Sequence, residues 1–426
     1  MLIASAKVAK QIAARHRKER RFRFFGLAAV GFTFLFLSFL LINIFMSGIG
    51  AFTYTTITLP VTFKAETIDP TGARTEDVLR GADYNALIQD ALLARFPEAA
   101  TDRAQTFKLF GLISKNASDA LRDRVLKDPN LIGTTVEVPL LASSSLDLLR
   151  KGTIDRSAPE NLRTLSDNEI HWFDTLKNEG RVHVRFNHIF FDSSDSREPE
   201  QAGILGAALG SLFVIVSCML LAFPLGVLTA VYLEEFAPRN TLTDIVEVNI
   251  NNLAAVPSIV YGLLGLWLYL NMLGLPRSSS LAGGLTLALM VLPIIIITTR
   301  TSLKSVPPSI RDAASALGAS PLQVVIHHTL PLALPGIMTG TILSIARALG
   351  ETAPLILIGM VAFVADVPTS FLSPATAMPV QIYLWSDSPE MGFRERTSAA
   401  ILILLVVLIV ANACAAWVRK KFERKW

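Results

Sequence analysis

Apolar residues gather into six runs, at about 24–46, 203–233, 251–273, 281–299, 333–364 and 398–418. A hydrocarbon core about 30 Å thick needs roughly 20 helical residues to cross it, so each run predicts one transmembrane helix. The second and fifth runs exceed that length and contain interior prolines, Pro224 and Pro354, which predicts tilt or a kink. Residues 53–200 are patterned differently. ITLPVTF (57–63) and RVHVRF (181–186) alternate apolar and polar side chains, as half-buried strands do. Helix-like segments lie near 85–96, 102–114, 117–127 and 166–178. The last opens with the capping box Ser166-Asp167-Asn168-Glu169 and stops before Gly180. The expectation is a small α+β domain whose first and last strands pair beside the membrane, with residues 66–180 able to fold alone.

Composition narrows the class. The 426 residues are 51% hydrophobic and 17% charged, with a mean hydropathy of +0.47, too little charge to cover a soluble protein of this length. The fold class expected is an all-α polytopic membrane protein of six helices, with an extracytoplasmic α+β insertion between the first and second. Gly48-Ile49-Gly50 weakly resembles a signal-peptide cleavage site, but the preceding apolar stretch is too long for one. Residues 24–48 therefore read as an uncleaved first helix.

Charge sets the orientation. Residues 1–23 carry Lys7, Lys10, Arg15, Arg17, Lys18, Arg20, Arg21 and Arg23, and residues 419–426 carry Arg419, Lys420, Lys421, Arg424 and Lys425. Basic flanks stay inside, and six spans put both termini on the cytoplasmic face of a bacterial inner membrane. Residues 53–200 then lie outside, with 18 Lys/Arg against 23 Asp/Glu, a solvated domain too large to be a connector. The net charge of +4 is thus a topology signal and argues against a nucleic-acid partner; the partner of the basic flanks is the lipid bilayer.

No GxxxxGK[ST] phosphate loop occurs and no nucleophile–base pair sits in a credible setting. The reading is a non-catalytic chain that binds no cofactor itself; ATP, if used, is hydrolysed by a partner subunit. Cys218 and Cys414 fall within predicted spans and read as apolar packing residues, and His183 and His188 as surface residues, with no metal site.

RDAASALGASPLQVVIHHTLP (311–331) interrupts the greasy runs on the cytoplasmic side. Ile310, Ala313, Ala314 and Leu317 share a helical face, and Gly318 stops the helix. Ser320 caps a second helix with Pro321 at its first position and Gln323 completing a capping box; Leu322, Val325, Ile326 and Thr329 line one side, and Pro331 ends it. Periodicity leaves two uses open: a docking element whose small alanines admit a partner's surface, or an amphipathic loop on lipid headgroups.

Asp312-Ala313-Ala314-Ser315-Ala316-Leu317-Gly318, followed by Leu330-Pro331, resembles the EAA loop of ABC-importer permeases, E-A-A-x3-G-x9-I-x-L-P, which docks into a groove of the ATPase subunit. Asp312 replaces the usual Glu and His328 the usual Ile. YLEEFAPRNTLTDIVEVNINNLAAVPSIVYGLLG (232–265), IARALGETAPLI (345–356) and FNHIFFDSSDSREPEQAGILGAALGSL (186–212) are similar to segments of the PstA-type permeases of phosphate ABC importers. The likeness covers roughly 186–418. It implies a five-helix permease core at 203–418, with Asp312, Ala313, Ala314, Gly318, Leu330 and Pro331 coupling to the ATPase. The 53–185 insertion is absent from shorter members, so the resemblance assigns it no role.

Two charges fall inside the fifth apolar run, Arg347 and Glu351. At the centre of a membrane helix each costs roughly 3 kcal/mol, and at i, i+4 they can offset one another. Gly350 permits close packing, and Pro354 deprives the Gly350 carbonyl of its donor, allowing a bend. A guanidinium suits phosphate because its fork grips two oxygens; the alternative is a structural ion pair. The resemblance implies transport roles for Arg347 and Glu351. Related permeases read R-T-T-E where this chain has Ile297-Thr298-Thr299-Arg300. Arg300 either substitutes for the family arginine or anchors its span at the cytoplasmic interface, the preferred reading.

The resemblance implies the permease subunit of an ATP-driven phosphate importer, forming half of the translocation path. Its partners would be a homologous second permease subunit, an ATP-binding cassette ATPase dimer and an extracytoplasmic phosphate-binding protein. Two rivals stand beside it: a permease for another oxyanion such as sulfate or molybdate, and a membrane signalling protein whose 53–200 domain senses.

Overall fold

The structure is a computed structural model that describes residues 2–70 and 72–422; the end of the basic C-terminal segment, with Arg424 and Lys425, lies outside it. Helix α1 (Leu2–Gly48) joins the basic N-terminal segment to the first span without a break. Most of its apolar side chains are exposed; it packs against the last long helix, Met391–Phe422, and comes closest at Gly48, where a Cβ would fall 2.8 Å from the Ala399 backbone nitrogen.

The chain then enters the extracytoplasmic domain through β1 (Thr53–Thr62). Helices α2 (Tyr84–Arg95), α3 (Arg103–Phe110) and α4 (Ala117–Lys127) follow. Next come β2 (Thr135–Leu141), α5 (Ser144–Lys151), α6 (Asp167–Asn178) and β3 (Val182–Phe186). The sheet has the order β2-β1-β3, all antiparallel. Thr53 pairs with Phe186 and Ile57 with Val182, so the first and last strands lie side by side just above α1. Ile57, Leu59 and Val61 of β1, with Phe63 just beyond it, are fully buried and meet Leu87 and Leu92 of α2, Leu121 and Val125 of α4, and Trp172, Phe173 and Leu176 of α6. Burying a side chain of this size contributes about 1.5–3 kcal/mol. The Ser166 amide donates to Glu169 at 2.7 Å, closing the capping box.

The central strand carries this core, which corrects the expectation that 66–180 is the folding unit: that fragment omits β1 and β3 altogether. Strand β2 went unread because TVEVPLL alternates over only four residues before Pro139. As an edge strand it tolerates that proline.

Beyond the domain lie α7 (Leu205–Val231), α8 (Thr241–Ala254), α9 (Ser258–Gly265), α10 (Ser280–Lys304) and α11 (Pro308–Ala316). They are followed by α12 (Leu330–Gly350), α13 (Ala353–Leu357), α14 (Met378–Ser386) and α15 (Met391–Phe422). Among the described residues five helices are long and apolar enough to cross a membrane, or six if one bent pair counts as a single span. That pair is α8 with the helix Ser258–Met272, which turn through 102° at Ala255-Val256-Pro257. The span expected at 251–273 is therefore not one continuous helix. Pro257, without an N–H to continue α8, starts the second piece. Helix α7 runs on through Pro224.

The fifth run departs most. Rather than one kinked helix over 333–364, helical backbone runs from Pro321 to Gly350 and stops at Glu351, whose ψ of 128° is extended. The short α13 follows, then a loop to α14. Proline 354 sits in the first turn of α13, where its missing N–H costs nothing.

Small residues set the packing of α10 against α12. A Cβ on Gly340 would fall 2.0 Å from Thr298 Oγ1, and one on Gly336 2.2 Å from Ser302 Oγ. This Gly-x3-Gly stripe faces two hydroxyl residues spaced alike on the antiparallel helix, so the backbones nearly touch. Cys218 is buried in the α7–α10 core, whereas Cys414 faces outward from α15.

Candidate functional site

Two places carry the residues that sequence singled out, one at the cytoplasmic end of the bundle and one near the outer end of α12.

At the cytoplasmic end, α11 stops in a Schellman motif. Gly318 has φ +87°, its N–H donates to Ser315 O at 2.9 Å, and the Ala319 N–H donates to Ala314 O at 3.2 Å. A left-handed residue is required here, and only glycine adopts it freely. Two residues on, Ser320 and Gln323 form the reciprocal capping box, at 2.9 and 3.4 Å, opening the helical turn Pro321–Val324.

Two expectations change. The second arm does not end at Pro331; a π-helical turn, Val325–Thr329, carries it straight into α12. The Leu330 N–H reaches back five residues to Val325 O, and this wider register absorbs the hydrogen bond that Pro331 cannot donate. Nor do the apolar positions share one face. Ala314, Val324, Val325 and Thr329 turn inward, and Ile310 and Leu330 pack on Leu303 and Val306. Asp312, Ala313, Leu322 and Ile326 are exposed, and Leu317 is 90% exposed. The hairpin is anchored from beneath and presents a compact apolar tip. His328 also faces outward, so the histidine in the family's isoleucine slot disturbs no packing.

Beneath the hairpin lies a charge cluster that sequence reading missed. The chain leaves α7 through a π-helical turn, Tyr232–Phe236, in which the Ala237 N–H donates to Tyr232 O. The wide turn directs its adjacent carboxylates to two partners. Glu235 takes a double hydrogen bond from Arg311, at 2.8 and 3.2 Å, and Arg311 also donates to Leu303 O and Val306 O. Glu234 accepts from Arg300 at 3.3 Å and lies 3.5 Å from Lys304. Arg300 also pairs with Glu247 of α8. The one sequence signal was the doublet Glu234-Glu235 closing an apolar run.

Arg300 is thus held between Glu234 and Glu247. Through the Gly340–Thr298 and Gly336–Ser302 contacts it is level with about residue 338 of α12. Arg347 lies nine residues further, roughly 13 Å along the axis. The structure does not bring Arg300 and Arg347 together.

Arg347 occupies the last turn of α12 and not the middle of a continuous span. Its Nε is 3.7 Å from Glu351 Oε1, and its side chain remains 40% exposed. The helix C-terminus favours a cation there. The pairing survives although Glu351 has left the helix. Gly350 has open space where a Cβ would stand, so it serves no close contact, contrary to expectation; the close approach belongs to Gly262 of α9, whose Cβ would lie 2.7 Å from Pro354 Cα. Gly350 and Pro354 thus flank a break in the span, locked against the second half of the broken pair. The arrangement offers a tethered but open guanidinium beside two interrupted helices. Among the described residues no His, Cys, Asp and Glu group could hold a metal ion.

Residues 222–426 match the family model described as the binding-protein-dependent transport system inner membrane component. Residues 9–160 match a domain of unknown function, DUF3333. The phosphate transport system permease protein PstA 1 of Mycobacterium tuberculosis (strain CDC 1551 / Oshkosh) is 36% identical over 225 residues, 52% of this chain and 72% of that protein. The phosphate transport system permease protein PstA of Haemophilus influenzae is 35% identical over 224 residues, 51% of this chain and 76% of that protein. The probable ABC transporter permease protein YqgI of Bacillus subtilis is 28% identical over 250 residues, 55% and 84% of the two chains. With a permease core laid out around a capped cytoplasmic hairpin and these relatives matched over most of their length, the chain belongs to the PstA family of ABC-importer permeases.

Proposed function

We propose that this chain is the inner-membrane permease subunit of an ATP-driven phosphate importer, and that it forms half of the translocation path. The observation that carries the reading is the hairpin: a rigid, twice-capped element anchored by Ala314, Val324 and Val325, with Leu317 and Ala313 exposed at its tip. A buried base and a bare apolar tip suit a partner's groove better than a headgroup surface, where basic side chains would be expected. In this reading Asp312, Ala313, Ala314, Gly318, Leu330 and Pro331 form the coupling element. An ATP-binding cassette dimer supplies hydrolysis, a homologous permease completes the path, and an extracytoplasmic protein delivers phosphate. Both termini face the cytoplasm, and this chain binds no cofactor.

Arg347 is the substrate-facing cation in this scheme, with Glu351 as its resting partner. Phosphate displaces or shares the carboxylate, so the guanidinium is neutralised both with and without cargo. The test is phosphate uptake in cells lacking this chain, with sulfate and molybdate as controls. Loss of phosphate uptake alone supports the reading. Loss of another oxyanion in its place, or of none, rejects it.

A further inference from the structure

The charge cluster beneath the hairpin is not used by the proposed function, and its geometry suits a mechanical role. Three carboxylates, Glu234, Glu235 and Glu247, meet three cations, Arg300, Lys304 and Arg311. They come from four separate elements: the π turn after α7, helix α8, the end of α10 and the start of α11. Apart from Lys304, their side chains are half-buried or better.

We propose that Glu235 and Arg311 form a latch that makes the coupling hairpin one rigid body with the second span and α8, so that hairpin displacement reaches the broken span. This rests on the reading of the hairpin as the ATPase dock. Apart from the apolar packing of Ile310 and Leu330 on Leu303 and Val306, the hairpin's two joints are narrow. Towards α10 it has the short link Ser305-Val306-Pro307, and towards α12 a π turn, a place where helices yield easily. The Arg311 guanidinium closes the first joint, because its Nη2 and Nη1 cap the carbonyls of Leu303 in α10 and Val306 in the link while Nε and Nη2 grip the Glu235 carboxylate. Arg300 extends the same body sideways by joining Glu234 to Glu247, so α8 follows the π turn. The two adjacent carboxylates thus divide the work: Glu235 holds the hairpin, and Glu234 holds α8 through Arg300. Sharp displacement needs such fixed contacts, because a hairpin free to swing on its joints would absorb the ATPase stroke. Glu235 and Arg311 are positioning residues and touch neither substrate nor nucleotide.

The experiment uses the complete transporter in proteoliposomes, with Glu235→Arg, Arg311→Glu and the charge-swapped pair. The readout is phosphate moved per ATP hydrolysed, taken only from complexes that co-purify with the ATPase. Each single change is expected to lower that ratio at least tenfold while hydrolysis continues, and the pair to regain at least threefold over either single. Full recovery is not expected, since a glutamate at 311 faces the α10 carbonyls. Singles with the parental ratio, or a swapped pair no better than either single, overturn the latch.

A second measurement stands apart from the identity of the cargo. Spin labels at Ser309→Cys on α11 and Leu242→Cys on α8, with Cys414→Ser, report the distance across the latch. In the parent this distance is expected to stay fixed between nucleotide-free and ATP-trapped states, and to broaden with Glu235→Gln. A distance that changes with nucleotide in the parent, or stays fixed in Glu235→Gln, overturns the proposal. A parent transporter that moves no phosphate would instead overturn the substrate reading and leave this distance test to decide the latch.

Discussion

Lys151 Nζ of the extracytoplasmic domain lies 2.8 Å from Glu395 Oε2 at the outer end of α15, 244 residues along the chain. Lys151 is 11% exposed and also pairs with Asp147, which accepts from Thr55 Oγ1 of β1. One residue on, Arg396 is 5% exposed, donates to Ala51 O and Glu200 O, and lies 5.3 Å from the Phe190 ring centroid. The domain is therefore seated on the last span through charge and not held by its tethers alone.

Breaking a buried pair from one side strands the other charge, at a cost of about 3–5 kcal/mol. Lys151→Met should lower the detergent-solubilised protein's melting temperature by several degrees and speed proteolysis between residues 187 and 204. Adding Glu395→Met should recover part of the loss, because both charges are then gone. An unchanged melting curve for Lys151→Met would show that the seat is held elsewhere.

The domain's fold also predicts where it can be cut out. A fragment of residues 53–187 keeps β1, β2 and β3 and should unfold cooperatively by circular dichroism. A fragment of 66–180 loses Ile57, Leu59, Val61 and Phe63 from the core and should show no cooperative transition. Equal cooperativity in the two fragments would remove β1 from its central role.

What sequence disclosed and what it hid follow from range. Apolar run length located the spans, and capping chemistry located Gly318, Ser320 and Ser166, because each is decided within a few residues. The break at Ala255-Val256-Pro257 was hidden, since apolar character is the same in one straight helix and two crossed ones; at Gly350 the sequence marked a bend where the helix stops outright. Pro331 and Pro354 misled in opposite ways. The first is absorbed by a π turn that hydropathy does not mark, while the second follows a break already made at Glu351. Partners such as Arg300 with Glu234, 66 residues apart, are invisible to periodicity. For Arg347 the sequence supplied the residue type and its pairing, and the structure supplied its place in a terminal turn.

Gly318 separates backbone strain from steric conflict. Its φ is +87° and a Cβ there would meet nothing within 4 Å, so any penalty comes from the left-handed backbone, about 1–2 kcal/mol for an ordinary residue. Gly318→Leu should insert normally, yet the transporter assembled with it should hydrolyse ATP through its ATPase subunits without matching phosphate uptake, whereas Gly318→Asn, which tolerates this conformation, should retain most coupling. Coupled uptake by a well-expressed leucine variant would refute the elbow's role.

Arg347 is the sharpest test of the transport reading. It stands 3.7 Å from Glu351, close enough for attraction and too far for a tight hydrogen bond, with its guanidinium still partly open. At that distance the guanidinium keeps room to turn towards an anion. Arg347→Gln should abolish phosphate uptake while the complex still assembles. Arg347→Lys keeps the charge but loses the two-pronged grip, so uptake should fall part of the way. Glu351→Gln removes the group that competes with phosphate for the guanidinium, so the anion is held longer. Turnover should then drop more than apparent affinity, and the fall in the maximal rate should exceed any rise in the half-saturating concentration. Normal transport by Arg347→Gln, or failure through lost assembly alone, would leave the pair as a clasp that ends α12 and nothing more.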